Sequence, residues 1–146
     1  MKNRTKICLL ITTVLIASSL LLSACGPSTN PDGSVDVKVT LTDFKIESSL
    51  DSFQVGVLYH FIITNEGNVP HELMIMEPMM AGMEGMTMEE MDAMALAHVE
   101  EDDLSPGATQ TLDYTFTEPA PAGSLEFSCH IAGHYEAGMV LPITVK

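Results

Sequence analysis

The chain has 146 residues, of which 20 are acidic and six are lysine or arginine, giving a formal charge of −14 and a sequence pI near 4.4. That excess of negative charge argues against nucleic acid and anionic lipid headgroups as partners, and favours solubility and a basic docking partner. The length allows one folded domain with a real core, but no more.

Lys2, Arg4 and Lys6 open the chain, and an almost unbroken apolar run follows from Ile7 to Leu22. Small residues Ser23 and Ala24 then precede Cys25. This order of charged, apolar and small residues is that of an export signal, and the run falls short of the roughly 20 residues of a membrane span. Leu22, Ser23, Ala24 and Cys25 together resemble a bacterial lipobox. The resemblance implies cleavage before Cys25 and attachment of lipid, palmitate included, to its sulfur. Residues 1–24 are therefore expected to be a lipoprotein signal peptide, and residues 25–34, rich in Gly, Pro and Ser, a flexible tether. The expected location is the outer face of the cytoplasmic membrane or the cell surface. All 20 acidic residues lie beyond the signal, opposed there by Lys38, Lys45 and Lys146 alone.

The rest of the chain, residues 35–146, reads as short strands. Val35 to Leu41 alternates apolar and polar residues, and Phe44 to Ile46 is expected to continue it past a kink. Val57 to Thr64 is β-branched and aromatic, and turn chemistry at Asn65 to Asn68 ends it. His71 to Met76 is a further strand. Ser105, Pro106 and Gly107 signal a turn before Thr109 to Thr117; Glu118 to Gly123 reads as a loop, and Ser124 to Cys129 and Val140 to Val145 close the set. Short strands at this spacing predict an all-β antiparallel sandwich or barrel.

Residues 78–103 break the pattern with Met, Ala, Glu and Gly. Thr87 and Glu90 form a capping-box pair, and the helix formers after them predict a helix over about 88–99. Nine of the eleven methionines fall between residues 74 and 94. Met74, Met76, Met91 and Met94 suit packing of that helix on the sheet. Met79, Met80, Met83 and Met86 lie in a glycine-interrupted stretch poorly suited to a core, and are candidate soft ligands for Cu(I).

Cysteine arithmetic sharpens the reading. Cys8 leaves with the signal and Cys25 is lipidated, so Cys129 is the remaining thiol and no internal disulfide is available. An unpaired thiol in an oxidising compartment needs a reason, and its neighbours supply one. Cys129, His134 and Met139 are evenly spaced with four residues in each gap, and His71 lies upstream. Two imidazoles, a thiolate and a weak axial thioether are the ligands of a blue-copper electron-transfer centre. Gly133 is expected to turn the loop back so that His134 meets the same ion as Cys129.

The segment from Phe127 to Met139, with His71 upstream, resembles cupredoxins of the plastocyanin/azurin class, with rusticyanin-like and auracyanin-like spacing. The resemblance implies a Greek-key β-sandwich over residues 35–146, one type 1 copper held by His71, Cys129, His134 and Met139, and one-electron transfer between redox proteins with His134 as the electron port. Two positions depart from the family pattern. Glu72 follows the first histidine, and His130 follows the cysteine, where small polar residues are usual; both bear on the groups that tune the metal. His130 directly after Cys129 also resembles multicopper oxidases, but this chain has no His-x-His pair and has Ser128 before the cysteine. Strand alternation points His130 away from Cys129, as a surface histidine.

His60 is expected to be a satisfied interior or edge histidine and His98 a solvated one. Tyr135 and Glu136 shape the surface between two ligands. No nucleophile–base pair, phosphate loop or carboxylate pair stands out, so the expected molecule is a monomeric, lipid-anchored electron carrier rather than an enzyme. Two other classes compete: a Met-rich copper chaperone or copper-tolerance lipoprotein, and a copper-free adhesion module, against which the filled ligand positions speak.

Overall fold

The computed structural model describes residues 29–80 and 85–146. The expected signal peptide, Cys25 and Met83 lie outside the described residues. Among the described residues, nine strands form two sheets. They are β1 (Val35–Thr42), β2 (Lys45–Ser48), β3 (Ser52–Phe53), β4 (Leu58–Asn65), β5 (Leu73–Met76), β6 (Ala97–Val99), β7 (Thr109–Thr115), β8 (Ala120–Ser128) and β9 (Val140–Val145). One sheet has the order β2-β1-β4-β7 and the other β3-β9-β8-β5-β6. This is an all-β sandwich.

The sandwich is not purely antiparallel. After β2 the chain crosses to the second sheet, adds β3 alongside β9, and returns with β4 beside β1. The pairs β1–β4 and β3–β9 are parallel, and neither is joined by a hairpin, since parallel neighbours need a longer crossover connection. Alternation in β1 and β4 then does what the sequence pattern requires. Val35, Val37, Val39 and Leu41 face Tyr59, Phe61 and Ile63 on the inner side, all buried. Phe53, Tyr59, Phe61, Phe116 and Phe127 gather at the centre of the core, with Phe53 within 5.9 Å, ring centre to ring centre, of the other four.

Three expectations need correction. Phe44 does not continue β1. It sits at the tip of a tight hairpin with a positive φ of 65°, and β2 runs back antiparallel. The turn lacks the glycine or asparagine that would have announced it. The helix (α1) spans Met88–Asp92, not 88–99. Its capping box forms as expected, with Thr87 and Glu90 bonding reciprocally, but Ala97–Val99 becomes β6. There the chain pairs with the open edge of β5, and Leu96 donates its N–H to the Ile75 carbonyl at 2.8 Å. A sheet edge offers a full row of backbone partners, which outweighs a local helix preference of a few tenths of a kcal/mol per residue. Finally, residues 120–123 belong to β8 rather than to a loop.

The insertion covers the outer face of the second sheet. This explains why all four residues of β5 are buried. Leu73 and Ile75 join the main core, while Met74 and Met76 point the other way and pack with Met91. Met79, Met86 and Ala95 complete this second cluster. Met94 was expected to join the packing but is nearly half exposed.

His60 is half-buried and satisfied. Its Nδ1 lies 2.6 Å from Asp113 Oδ1 and its Nε2 lies 3.0 Å from Ser34 Oγ. The Ser34 hydroxyl donates to Asp32 at 2.6 Å, so this Ser–His–Asp arrangement holds the entry to β1 in place rather than activating a nucleophile. Thr29 to Ser34, in the expected tether, thus form a closed turn, with Thr29 bridged to Val35. Among the described residues, no helix is long and apolar enough to cross a membrane.

Candidate metal centre

His71, Cys129 and His134 meet at one end of the sandwich, all three buried. One ligand atom from each lies within 4.8 Å of the others. His71 Nδ1 is 3.3 Å from His134 Nδ1, and Cys129 Sγ is 3.3 Å from the same nitrogen.

Each candidate ligand is set by local structure. Cys129 directly follows β8. Gly133 then adopts a positive φ of 87°, which lets the chain double back, and His134 donates its N–H to the Ile131 carbonyl at 2.8 Å. Met139 closes the loop: its N–H bonds the His134 carbonyl at 3.0 Å and its carbonyl accepts the Cys129 N–H at 3.2 Å. The Met139 side chain is fully buried. His71 arrives from the segment after β4, which buried Asn65 stitches together by donating to the Val69 and Leu104 carbonyls and accepting from Gly67 N–H. Gly67 is required for a second reason: a Cβ there would come within 2.8 Å of His71 Nε2 and 2.6 Å of Asp43 Oδ1.

The donor set fits a small soft-to-borderline cation. An ion with metal–nitrogen bonds of about 2 Å in a trigonal plane spaces its donors by roughly 3.5 Å, close to the observed separations. His71 is held neutral, first by burial and then by the neighbouring His134, so a ring nitrogen keeps its lone pair. Its other nitrogen, Nε2, is buried without a hydrogen bond, and the Asp43 carboxylate stands 3.8 Å away. That carboxylate favours the ring proton on Nε2 and so frees Nδ1 to face the other donors. Burial pushes the Cys129 thiol up to about 11, opposed by the backbone N–H groups of Glu72 and Ile131, which favour the thiolate. A metal ion that binds here must displace that proton.

Glu72 still braces the ligand loop, although it is neither small nor uncharged. Its Oε1 accepts the His130 N–H at 2.5 Å, tying the start of β5 to the residue after the cysteine. Burial, reinforced by Asp92, Glu101 and Glu100, pushes its carboxyl up to about 7. In the metal-free protein the folded state therefore holds this proton between the ordinary 4.5 and about 7, while the unfolded chain releases it. Stability contributed by Glu72 falls as pH rises through that window, by about 3 kcal/mol in total. Replacing it by Gln is expected to remove this component. Urea unfolding of metal-free wild type and Glu72→Gln at about pH 5 and about pH 8 checks it, and parallel pH dependence in the two proteins would refute it. Burial lowers the pKa of His71 and His130, which tilts the curve the other way in both proteins, so the difference isolates Glu72.

His130 corrects an expectation. It is buried, not on the surface: β8 ends at Ser128, so strand alternation no longer governs it. Its ring stacks on Tyr135 with centres 4.6 Å apart, and its Nε2 lies 2.9 Å from Ser128 Oγ. Tyr135 in turn accepts the Met79 N–H at 3.2 Å, joining the ligand loop to the insertion. Phe44, half exposed, sets its ring edge-on to His134 at 5.4 Å.

A cavity of about 720 Å³ lies between the ligand loop and the insertion. Of the candidate Cu(I) ligands, Met79 and Met86 line it and Met80 does not; Met88 and Met91, read as helix residues, line it too. His98 is not merely solvated. It forms a second group with Asp92 and Glu100, their ligand atoms within 4.8 Å of one another. Residues six apart in a supposed continuous helix gave no sign of this.

No family model matches the chain. A copper-resistant cuproprotein, CopI of Pseudomonas aeruginosa, is 29% identical over 149 aligned positions, covering 82% of this chain and 81% of that protein. Among solved structures, reduced auracyanin from Roseiflexus castenholzii superposes with a TM-score of 0.58 at 18% identity, covering 83% of this chain and 99% of that one. Rusticyanin from Thiobacillus ferrooxidans gives 0.56 at 17% identity, covering 77% of each chain. The two-sheet topology and these neighbours establish that the chain has a cupredoxin-like fold.

Proposed function

We propose that this protein binds one copper ion of type 1 character through His71, Cys129, His134 and Met139 and carries single electrons between redox proteins, catalysing no reaction itself. The observation that carries the reading is the convergence of two imidazole nitrogens and a thiol sulfur, 3.3 Å apart along two edges, inside a buried loop. Bound copper would supply a one-electron couple that suits both soft and borderline donors. The chain's own part is rigidity. Asn65 and Glu72 fix the two loops from outside, and the backbone bonds of Met139 fix the third, so the donors keep their places when charge changes. His134 sits at the edge of the site beside the half-exposed Phe44 ring, at the end where a redox partner would dock. With 20 acidic residues on the exported part, that partner would present a basic surface. The lipobox-like residues Leu22 to Cys25 support an anchor on the outer face of the membrane, where diffusion in two dimensions would bring carrier and partners together.

A second reading is favoured by the relative's name and by the methionine-lined cavity: copper tolerance, with Met79, Met80, Met83 and Met86 capturing Cu(I). One set of measurements separates the two. As an electron carrier, the copper-loaded protein shows an intense thiolate-to-copper absorption band, a matching paramagnetic spectrum, and reversible bleaching on reduction. A tolerance protein stays colourless, prefers Cu(I), and loses Cu(I) affinity when the four methionines are changed to Leu. Absence of the band after Cu(II) loading would overturn the first reading.

A further inference from the structure

We propose that Asp92, His98 and Glu100 form a second metal site, separate from the Cys129 centre, that takes a first-row divalent cation, and that its occupant is Cu(II). The choice of copper rests on the reading above; the site itself does not.

The fold builds this group deliberately in three steps. In β6, His98 pairs with Met74 and so shares the outer face of the second sheet with it. Glu100, two residues on, continues along that side of the chain. The short helix α1 is laid over the same face by Met91, which packs on Met74 and Met76, and this brings its last residue, Asp92, above His98. One oxygen from each carboxylate and an imidazole nitrogen then fall within 4.8 Å of one another, with His98 Nε2 3.8 Å from Glu100 Oε1.

The charge balance points to a cation. Glu101, Asp102 and Asp103 follow directly, yet the sequence holds no lysine or arginine from residue 46 to residue 145. Among the described residues, His98 is the cationic partner within ion-pair reach of Glu100, and the two carboxylates that the fold holds together repel one another. A divalent ion offsets this repulsion directly. The donors also select the ion. One imidazole with two carboxylates is a nitrogen–oxygen set, suited to borderline divalent ions, and affinity for such sets rises along the first row to Cu(II). It lacks the sulfur that favours Cu(I). Asp92 and Glu100 also line the cavity that contains Met79 and Met86 and that is walled by His130 and Ile131 of the ligand loop. Hard and soft donors for the two oxidation states of one metal thus share one cavity beside the Cys129 centre.

The test titrates Cu(II) into the purified full chain, into His98→Gln, and into the Asp92→Asn/Glu100→Gln double variant. Bound copper is counted by equilibrium dialysis and typed by frozen-solution paramagnetic resonance. Wild type is expected to bind a second equivalent with a wide hyperfine, non-blue signal. Both variants are expected to lose it, with affinity for that equivalent down at least tenfold, while the thiolate band is unchanged. Zn(II) is expected to compete for the second equivalent. A single equivalent in wild type, or an unchanged second equivalent in both variants, would overturn the proposal. If the non-blue equivalent persists in wild type and depends on His98 while no thiolate band forms, this site stands and the electron-carrier reading fails.

Discussion

Cys129→Ser is expected to abolish the thiolate-to-copper absorption entirely. The sulfur is the only donor of its kind in the trio, and a serine hydroxyl does not ionise to bind copper at neutral pH. Copper affinity should fall by more than the roughly 10–100-fold that loss of an outer-shell partner costs. The fold should survive. The N–H groups of Glu72 and Ile131 that point at Sγ can bond a hydroxyl oxygen instead, so the metal-free variant should unfold within about 1–3 kcal/mol of wild type. Absorption spectroscopy with copper, and urea denaturation without it, measure the two effects separately. A coloured Cys129→Ser protein would remove the thiolate from the proposal.

Phe53→Ala is expected to cost the largest share of folding stability. Phe53 belongs to a two-residue strand, yet its ring touches Tyr59, Phe61, Phe116 and Phe127 and is 1% exposed. Truncating a buried phenylalanine costs about 3–5 kcal/mol, a large part of the roughly 5–15 kcal/mol that holds a domain folded. Four rings from both sheets would lose a shared partner at once, so the cavity has little means of collapsing. The urea midpoint of the metal-free protein reports the loss, and a change below about 1 kcal/mol would show that the aromatic centre is not what joins the sheets.

The comparison of Cys129 and His98 shows which parts of the site were legible in the chain. Cys129, His134 and Met139 lie within eleven residues, and the turn that joins them needs only Gly133, so local spacing announced them. His71 was legible by its residue type, but its meeting with Cys129 and His134 depends on Asn65, Gly67 and Asp43 shaping a separate loop. The group of Asp92, His98 and Glu100 was hidden. Its members come together only because the helix stops at Asp92 and the chain reverses to pair with β5. Glu72 was visible as a departure from the family pattern, but not as a brace; that required seeing its carboxylate on the His130 N–H.

Periodicity and residue chemistry alone determined the all-β class, the alternation of β1 and β4, the capping box at Thr87 and the ligand loop, because each is written in residues a few positions apart. Tertiary structure decided the parallel pairing of β1 with β4, the early end of the helix, the burial of His130 and the meeting of Asp92 with His98. In each of those cases a partner from a distant part of the chain supplied hydrogen bonds or buried area larger than the local preference it overrode.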